Sequence, residues 1–266
     1  MLKIVVLILS SVLLFACEQK KIEEKPPVHQ KSETIDEVEK TAGELKMIEI
    51  QRIPSEKLQE KVSLRYERID AGETVQVYTY YDKEGSLVKV IEEYNLGNTK
   101  NGGVKTYYFE GENALVAVVD SYEDWTNTDA VVFSEKRSFY ENGVAVYTDF
   151  RTAEYYELIA QEKFQKIKTH NFNIDRVMAV TEASGSFQTC FLGIIETPSF
   201  PYILVGEPNK EDGFQSTLRI SKRSTFTDNL LQNQTEYLNK PMRLEYKVIE
   251  ENNFSFTEFI NATWIK

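Results

Sequence analysis

The stretch Tyr78-Thr79-Tyr80-Tyr81-Asp82-Lys83-Glu84-Gly85-Ser86-Leu87-Val88-Lys89-Val90 decides the fold. Before it, Val75, Val77, Thr79 and Tyr81 alternate with more polar residues, the period of a strand whose side chains point to opposite faces in turn. Lys83-Glu84-Gly85 then supplies a polar turn, and Leu87 to Val90 form a short apolar strand. The unit is a β-hairpin. It recurs as Tyr107-Tyr108 with turn Glu110 to Asn113 and strand Leu115 to Val119, and as Phe139-Tyr140 with turn Glu141-Asn142-Gly143 and strand Val144 to Tyr147. Three such hairpins predict an antiparallel meander. Both faces of its strands carry apolar or aromatic residues, so one face is expected to pack on a helix.

Working outward, Ala153 to about Lys168 offers that helix: Tyr156, Ala160, Phe164 and Ile167 recur at steps of four, four and three. On the amino-terminal side, Thr34 and Glu37 stand at capping-box spacing, and Ile35, Val38, Ala42 and Leu45 share one face of a short helix. Gly43 would end it early, and 45–50 also reads as a strand. Val62, Leu64 and Tyr66 alternate, and Asp70 to Glu73 form a turn. Beyond the meander, strand-like runs fall at 174–183, 186–195, 201–206 and 216–222, followed by a helix with Asp228 as N-cap. Met242, Leu244, Tyr246 and Val248 then alternate, and a last aromatic strand runs through Phe256 and Trp264.

The strands-helix-strands order of this second half resembles an OB-like barrel. The segment Leu238-Asn239-Lys240-Pro241-Met242-Arg243-Leu244-Glu245-Tyr246 resembles the entry to the fourth strand of small OB-like domains. The hairpins resemble the strand-turn-strand units of MORN-like repeats, but the glycines those units carry at set places are missing, so no function is carried over. The expected class is therefore mostly β with a few helices (α+β): an antiparallel hairpin meander packed on a helix over 33–170, then a small OB-like β-barrel over 171–266.

Ahead of both, Lys3 and the apolar run Ile4–Phe15 have the length of a secretory signal, short of the roughly 20 residues a membrane-spanning helix needs. Leu14, Ala16 and Cys17 match the lipobox of bacterial lipoproteins, with Phe15 bulkier than the usual residue there. The resemblance implies a signal peptide over 1–16, cleavage after Ala16 and lipid on Cys17, the link to a membrane. Residues 17–32, with alternating charges and Pro26-Pro27, read as a flexible tether. Glu18 stands where an aspartate retains a lipoprotein at the inner membrane, so the resemblance implies the outer membrane, facing periplasm or surface.

The chain is acidic, with net charge −11 and a pI near 4.9. That excludes a phosphate-dominated nucleic-acid interface, which needs a basic patch. Chemistry is sparse: no nucleophile elbow, phosphate loop, CxxC pair or metalloprotease helix occurs, and no cofactor or metal is implied. His170 and Cys190 admit a thiol-enzyme reading, but a surface histidine and a small buried cysteine explain them as well. Residues 110–129 hold six acids and no base around Trp125. Asp120, Asp124 and Asp129 read either as oxygen ligands of a cation or a basic partner, or as a solvated loop with Trp125 folded onto the sheet. Tyr78, Tyr80, Tyr107 and Tyr140 read either as an aromatic platform for sugar or peptide, or as cross-strand pairs that stabilise the sheet. The functional expectation is a membrane-anchored, non-catalytic module for a protein or glycan partner; the alternative is a cell-wall-directed hydrolase or hydrolase inhibitor.

Overall fold

The computed structural model describes residues 40–97, 101–111, 114–125, 130–208, 213–251 and 254–265. Ala16, Cys17, the tether and Asp129 lie outside the described residues. Lys40–Lys266 form one unit. Its strands are β1 (Gln59–Val62), β2 (Tyr66–Arg68), β3 (Glu73–Tyr81), β4 (Leu87–Leu96), β5 (Gly102–Glu110), β6 (Ala114–Asp124), β7 (Val132–Glu141), β8 (Val144–Ala153), β9 (Gln165–Lys166), β10 (Cys190–Glu196), β11 (Pro201–Gly206), β12 (Gln215–Arg219), β13 (Met242–Glu251) and β14 (Phe254–Trp264). The helices are α1 (Ala42–Gln51), α2 (Asp175–Glu182), α3 (Thr225–Gln232) and the single turn α4 (Gln234–Tyr237).

All the strands belong to one open mixed sheet in the order β10-β11-β12-β2-β3-β4-β5-β6-β7-β8-β9. β1 continues β2 beside β3, and β14 leaves the path at a parallel contact between Arg219 and Glu258, with β13 paired to it. The predicted meander is present as β3 to β8, antiparallel throughout. Each of the three hairpins read from the sequence carries a register shift beside the turn, at Tyr80/Tyr81, Tyr108/Phe109 and Phe139/Tyr140. The second repeat is thus centred on Tyr108-Phe109, one residue later than the pattern suggests. At the last turn Asn142 and Gly143 take φ of 50° and 77°, the left-handed pair that a two-residue hairpin demands.

Register divides the meander into two faces. Val75, Val77, Val90, Tyr107 and Val118 look inward, onto a core shared with Val177 and Val180 of α2, Leu230 of α3, and Phe191, Ile203 and Leu218 of the far strands. The opposite, outer face carries α1 on Tyr108, Ala117 and Phe139, with Met47 filling the contact. Thr41 caps α1 by accepting from the Glu44 amide at 3.1 Å. Thr34 and Glu37 lie outside the described residues; the helix includes 45–50, which also read as a strand. Gly43 does not end it. A Cβ there would lie 2.6 Å from the Val116 carbonyl oxygen, so the glycine lets the helix sit directly on β6.

Three expectations are corrected. Residues 153–168 are not an α-helix but a 3-10 turn, Tyr156–Gln161, followed by β9. Their apolar side chains are used separately: Tyr156 meets the edge of Phe133 at 5.9 Å, and the Phe164 ring lies between the guanidinium groups of Arg137 and Arg151, 3.4 and 4.2 Å away. Those arginines are fixed by Asp149 (2.6 Å) and Glu135 (2.6 Å) on neighbouring strands, and tertiary contact of this kind overrides a helical spacing. Conversely, 174–183 is not a strand but α2, because Val177 and Val180, one turn apart, both reach the core. Finally, the second half is not a closed barrel: its strands belong to the open sheet, and α3 is capped by Ser224 rather than Asp228.

Candidate functional site

The outer face, away from α1, is a trough. Its floor follows from register: Thr74 and Gln76 on β3, Glu93 and Asn95 on β4, Gly102 and Val104 on β5, Ser121 and Glu123 on β6. Three adjoining cavities mark its length. The central one, about 580 Å³, is lined by Arg65, Gln76, Glu93, Asn95 and Trp125, among others. It shares Gly102, Gly103, Val104 and Glu123 with a neighbour of about 470 Å³ that ends at Phe133, Tyr156 and Ile159. On the other side it shares Arg65 and Gln76 with a cavity of about 520 Å³ lined by Ile195, Tyr202, Leu204, Thr217 and Phe256.

Glycine leaves the middle of the trough open: Gly102, across from Asn95 and Glu123 on the outer face, presents no side chain to it. Gly103 faces the inner side, where a Cβ would fall 2.2 Å from the Ser121 carbonyl oxygen and 2.6 Å from the Tyr122 Cα, so only glycine fits beneath the trough. Around this gap stand groups that can hydrogen-bond a polar ligand. Gln76 is held by donation to the Ser63 carbonyl (3.3 Å), and Arg65 pairs with Glu67 at 3.2 Å. Trp125 is 49% exposed at the rim, a large apolar ring facing solvent beside carboxylates, as in a site with an apolar floor and convergent polar groups. At the far end the Arg219 guanidinium lies 3.6 Å from the Phe256 ring and 4.7 Å from Phe200, which fixes both rings.

The inner face carries the other polar concentration. Glu92, Lys105, Asp120 and Lys136 are successive cross-strand partners on β4, β5, β6 and β7, a row of alternating charge. Glu92 is 2% exposed and Asp120 7%. Tyr107 donates to Glu92 and Tyr94 to Asp120, each at 2.8 Å. Arg176, from α2, reaches Glu92 at 3.4 Å, and Lys105 reaches Asp120 at 3.9 Å while lying 3.8 Å over the Tyr94 ring. Burial raises the Asp120 carboxyl above the ordinary carboxylate range, opposed by Lys105 and the Tyr94 hydroxyl. Burial, reinforced by the adjacent carboxylates, also lifts the Tyr94 and Tyr107 hydroxyls far above their usual range. The irregular segment from Ile167 to Phe172 crosses this face, stitched by Thr148, Ser138 and Tyr140: the His170 amide donates to Thr148, Ser138 donates to the His170 carbonyl, and the Phe172 amide donates to Tyr140. Glu92, Lys105 and Asp120 line none of the cavities described, and the Arg176–Glu92 pair ties α2 to the sheet.

The residues singled out in the sequence are split by this geometry. Asp120 points into the buried row, four residues along β6 from Asp124, while Trp125 borders the trough; no group of three acidic, histidine or cysteine side chains suited to a metal occurs among the described residues. Tyr78 and Tyr80 lie half-buried on the outer face, whereas Tyr107 and Tyr140 are buried in the inner core. Burial and nearby Glu60 push the Tyr80 hydroxyl up to about 12. Cys190, buried on β10, and His170, over β7 and β8, sit at opposite ends of the strand order, and burial raises the Cys190 thiol. Sequence reading did not find the trough, because its floor alternates Thr, Gln, Glu, Asn and Ser with buried residues and looks like a solvated strand face. Gly102-Gly103 within a strand was the available signal.

Among the described residues no helix is long and apolar enough to cross a membrane. No family model matches the chain, and no curated protein or solved structure does.

Proposed function

We propose that the protein is a lipid-anchored, non-catalytic envelope module that holds a neutral oligosaccharide in the outer-face trough. The continuous run of three cavities along one open sheet face carries this reading. A sugar chain is a ribbon with apolar C–H faces and a fringe of hydroxyls. Trp125, Tyr202 and Phe256 offer flat apolar surface at intervals along the trough, and Gln76, Glu93, Asn95, Glu123, Arg65 and Gln215 offer donors and acceptors. The acidic balance disfavours an anionic polymer.

The order β10-β11-β12-β14-β13 supports the same reading. With α3 between the third and fourth of these strands, a parallel contact between the third and fifth, and a bridge from Cys190 to Pro241 at the start of the fourth, it resembles the strand order of an OB-like unit, though the sheet is open. Such units take oligosaccharides on their second and third strands. Tyr202, Leu204, Gln215 and Thr217, lining the trough, lie on those two.

Trp125→Ala and Tyr202→Ala are each expected to weaken binding of a neutral oligosaccharide about tenfold, close to 1.4 kcal/mol. Trp125 is 49% exposed, so its removal should leave thermal stability unchanged, and the variant of the partly buried Tyr202 is compared with the parent at temperatures where both are folded. Calorimetric titration of the purified protein reads this; binding indifferent to both substitutions would end the proposal. The anchor is tested separately. Cys17→Ala is expected to move the protein from the membrane to the soluble fraction, since two or three acyl chains supply the attachment; retention of the variant on membranes would contradict it.

A further inference from the structure

We infer that the free edge of β13, from Leu244 to Glu250, is a docking slot for an extended, basic segment of a protein partner, which would add to the sheet as a strand between β13 and β1. Among the described residues β13 pairs only with β14, apart from the contacts of Met242 with Thr189 at its start, and β1 pairs only with β3. Apart from the Val62 carbonyl, which accepts from the Tyr246 hydroxyl, these edges make no ladder to each other among the described residues, and a cavity of about 710 Å³ is lined by consecutive residues of each: Glu60 to Val62, and Leu244 to Val248 with Glu250.

The separation is set by one side chain. The Tyr246 hydroxyl donates to the Val62 carbonyl at 2.9 Å. A tyrosine with its hydrogen bond reaches on the order of 9 Å, close to two strand spacings of about 4.8 Å each. That reach limits the separation of the edges at the Val62 end to about two strand spacings, within which one added strand fits alongside Glu60. Backbone hydrogen bonds to both walls would supply affinity in such a slot, as in other cases of strand addition.

Charge selects the occupant. Of the cations on the lining, Lys247 is paired with Glu258 at 2.7 Å and Lys61 lies over the Tyr81 ring at 4.8 Å. Glu245 and Glu250 have no ion-pair partner among the described residues, and Glu60 lies close enough to act on Tyr78 and Tyr80. The slot is acidic on an acidic protein, so a second copy of this chain is repelled, while a strand carrying lysine or arginine is drawn in. This interface is separate from the oligosaccharide trough and stands or falls without it.

The test uses a peptide of about ten residues alternating lysine and valine, added to the purified protein, with fluorescence anisotropy for affinity and amide hydrogen exchange for location. Slowed exchange confined to 244–250 and to Glu60 and Val62 is expected. Affinity should fall about tenfold or more when proline replaces alternate valines, because proline donates no ladder hydrogen bond, and again when glutamate replaces lysine. Glu245→Lys with Glu250→Lys should weaken binding similarly while oligosaccharide binding persists, which also reports that the variant is folded. Equal affinity for the proline peptide, or protection elsewhere or nowhere, would overturn the inference.

Discussion

Arg176→Met is expected to lower stability by about 2–4 kcal/mol, seen as a fall of very roughly 5–15 °C in the thermal midpoint. The substitution keeps the aliphatic stem over the sheet and removes the charge that faces Glu92, a carboxylate only 2% exposed. A buried charge stripped of its partner costs more than the pair contributed, because desolvation is then uncompensated. The Arg176 side chain is itself about one-third exposed, which places the cost below that of a fully buried pair. Glu92→Gln added to Arg176→Met should recover most of the loss, since neither charge remains and the amide oxygen still accepts from Tyr107. If the double variant were as unstable as the two single losses summed, the pairing across α2 and β4 would not be the cause.

Lys105→Met should show the second large effect, and a pH dependence distinguishes it. Lys105 and Asp120 are both largely buried and 3.9 Å apart, and the loss at pH 8 is expected to be about 2–3 kcal/mol. The Asp120 carboxyl already sits above its ordinary range in the fold because burial disfavours its charge, with Lys105 pulling the other way. Removing Lys105 raises it further. A carboxyl whose folded value exceeds its unfolded value favours the native state when protonated, so its contribution is fully present below the unfolded value and is lost as pH rises through the folded one. The deficit of the variant relative to the parent should therefore shrink as pH falls from 8 toward 5. Urea midpoints of both proteins across that range measure it; a deficit constant with pH would mean that Asp120 is not the group left unpaired.

The meander was legible because hairpins write themselves locally. Aromatic pairs beside Gly85, Gly111 and Asn142-Gly143 mark alternate reversals, and the last two pairs send one ring to either face: Tyr108 and Phe139 to α1, Phe109 and Tyr140 to the inner core. What the strands pack against was not legible. Phe164 has helical spacing yet inserts between two arginines supplied by other strands, and Val177 and Val180 look strand-like until the core they share is known. Both errors concern short segments where period alone is ambiguous and a distant partner decides. The acidic run around Trp125 shows the same limit for a site. Close in sequence, Asp120 and Trp125 are divided by the pleat of β6 and the end of the strand, one sealed against Lys105 and the other open to the trough.

The trough is tested most directly by its own fluorophore. The chain has two tryptophans, and Trp264, stacked on Tyr237 at 5.0 Å, can be replaced by Phe to leave Trp125 as the reporter. Titrating that variant with neutral oligosaccharides should give a saturable shift in Trp125 emission, and Gly103→Ala, which forces β5 from β6 beneath the site, should abolish it. An emission unchanged by every neutral oligosaccharide up to millimolar concentration, with the protein folded, would contradict the assignment of the outer face as the binding surface.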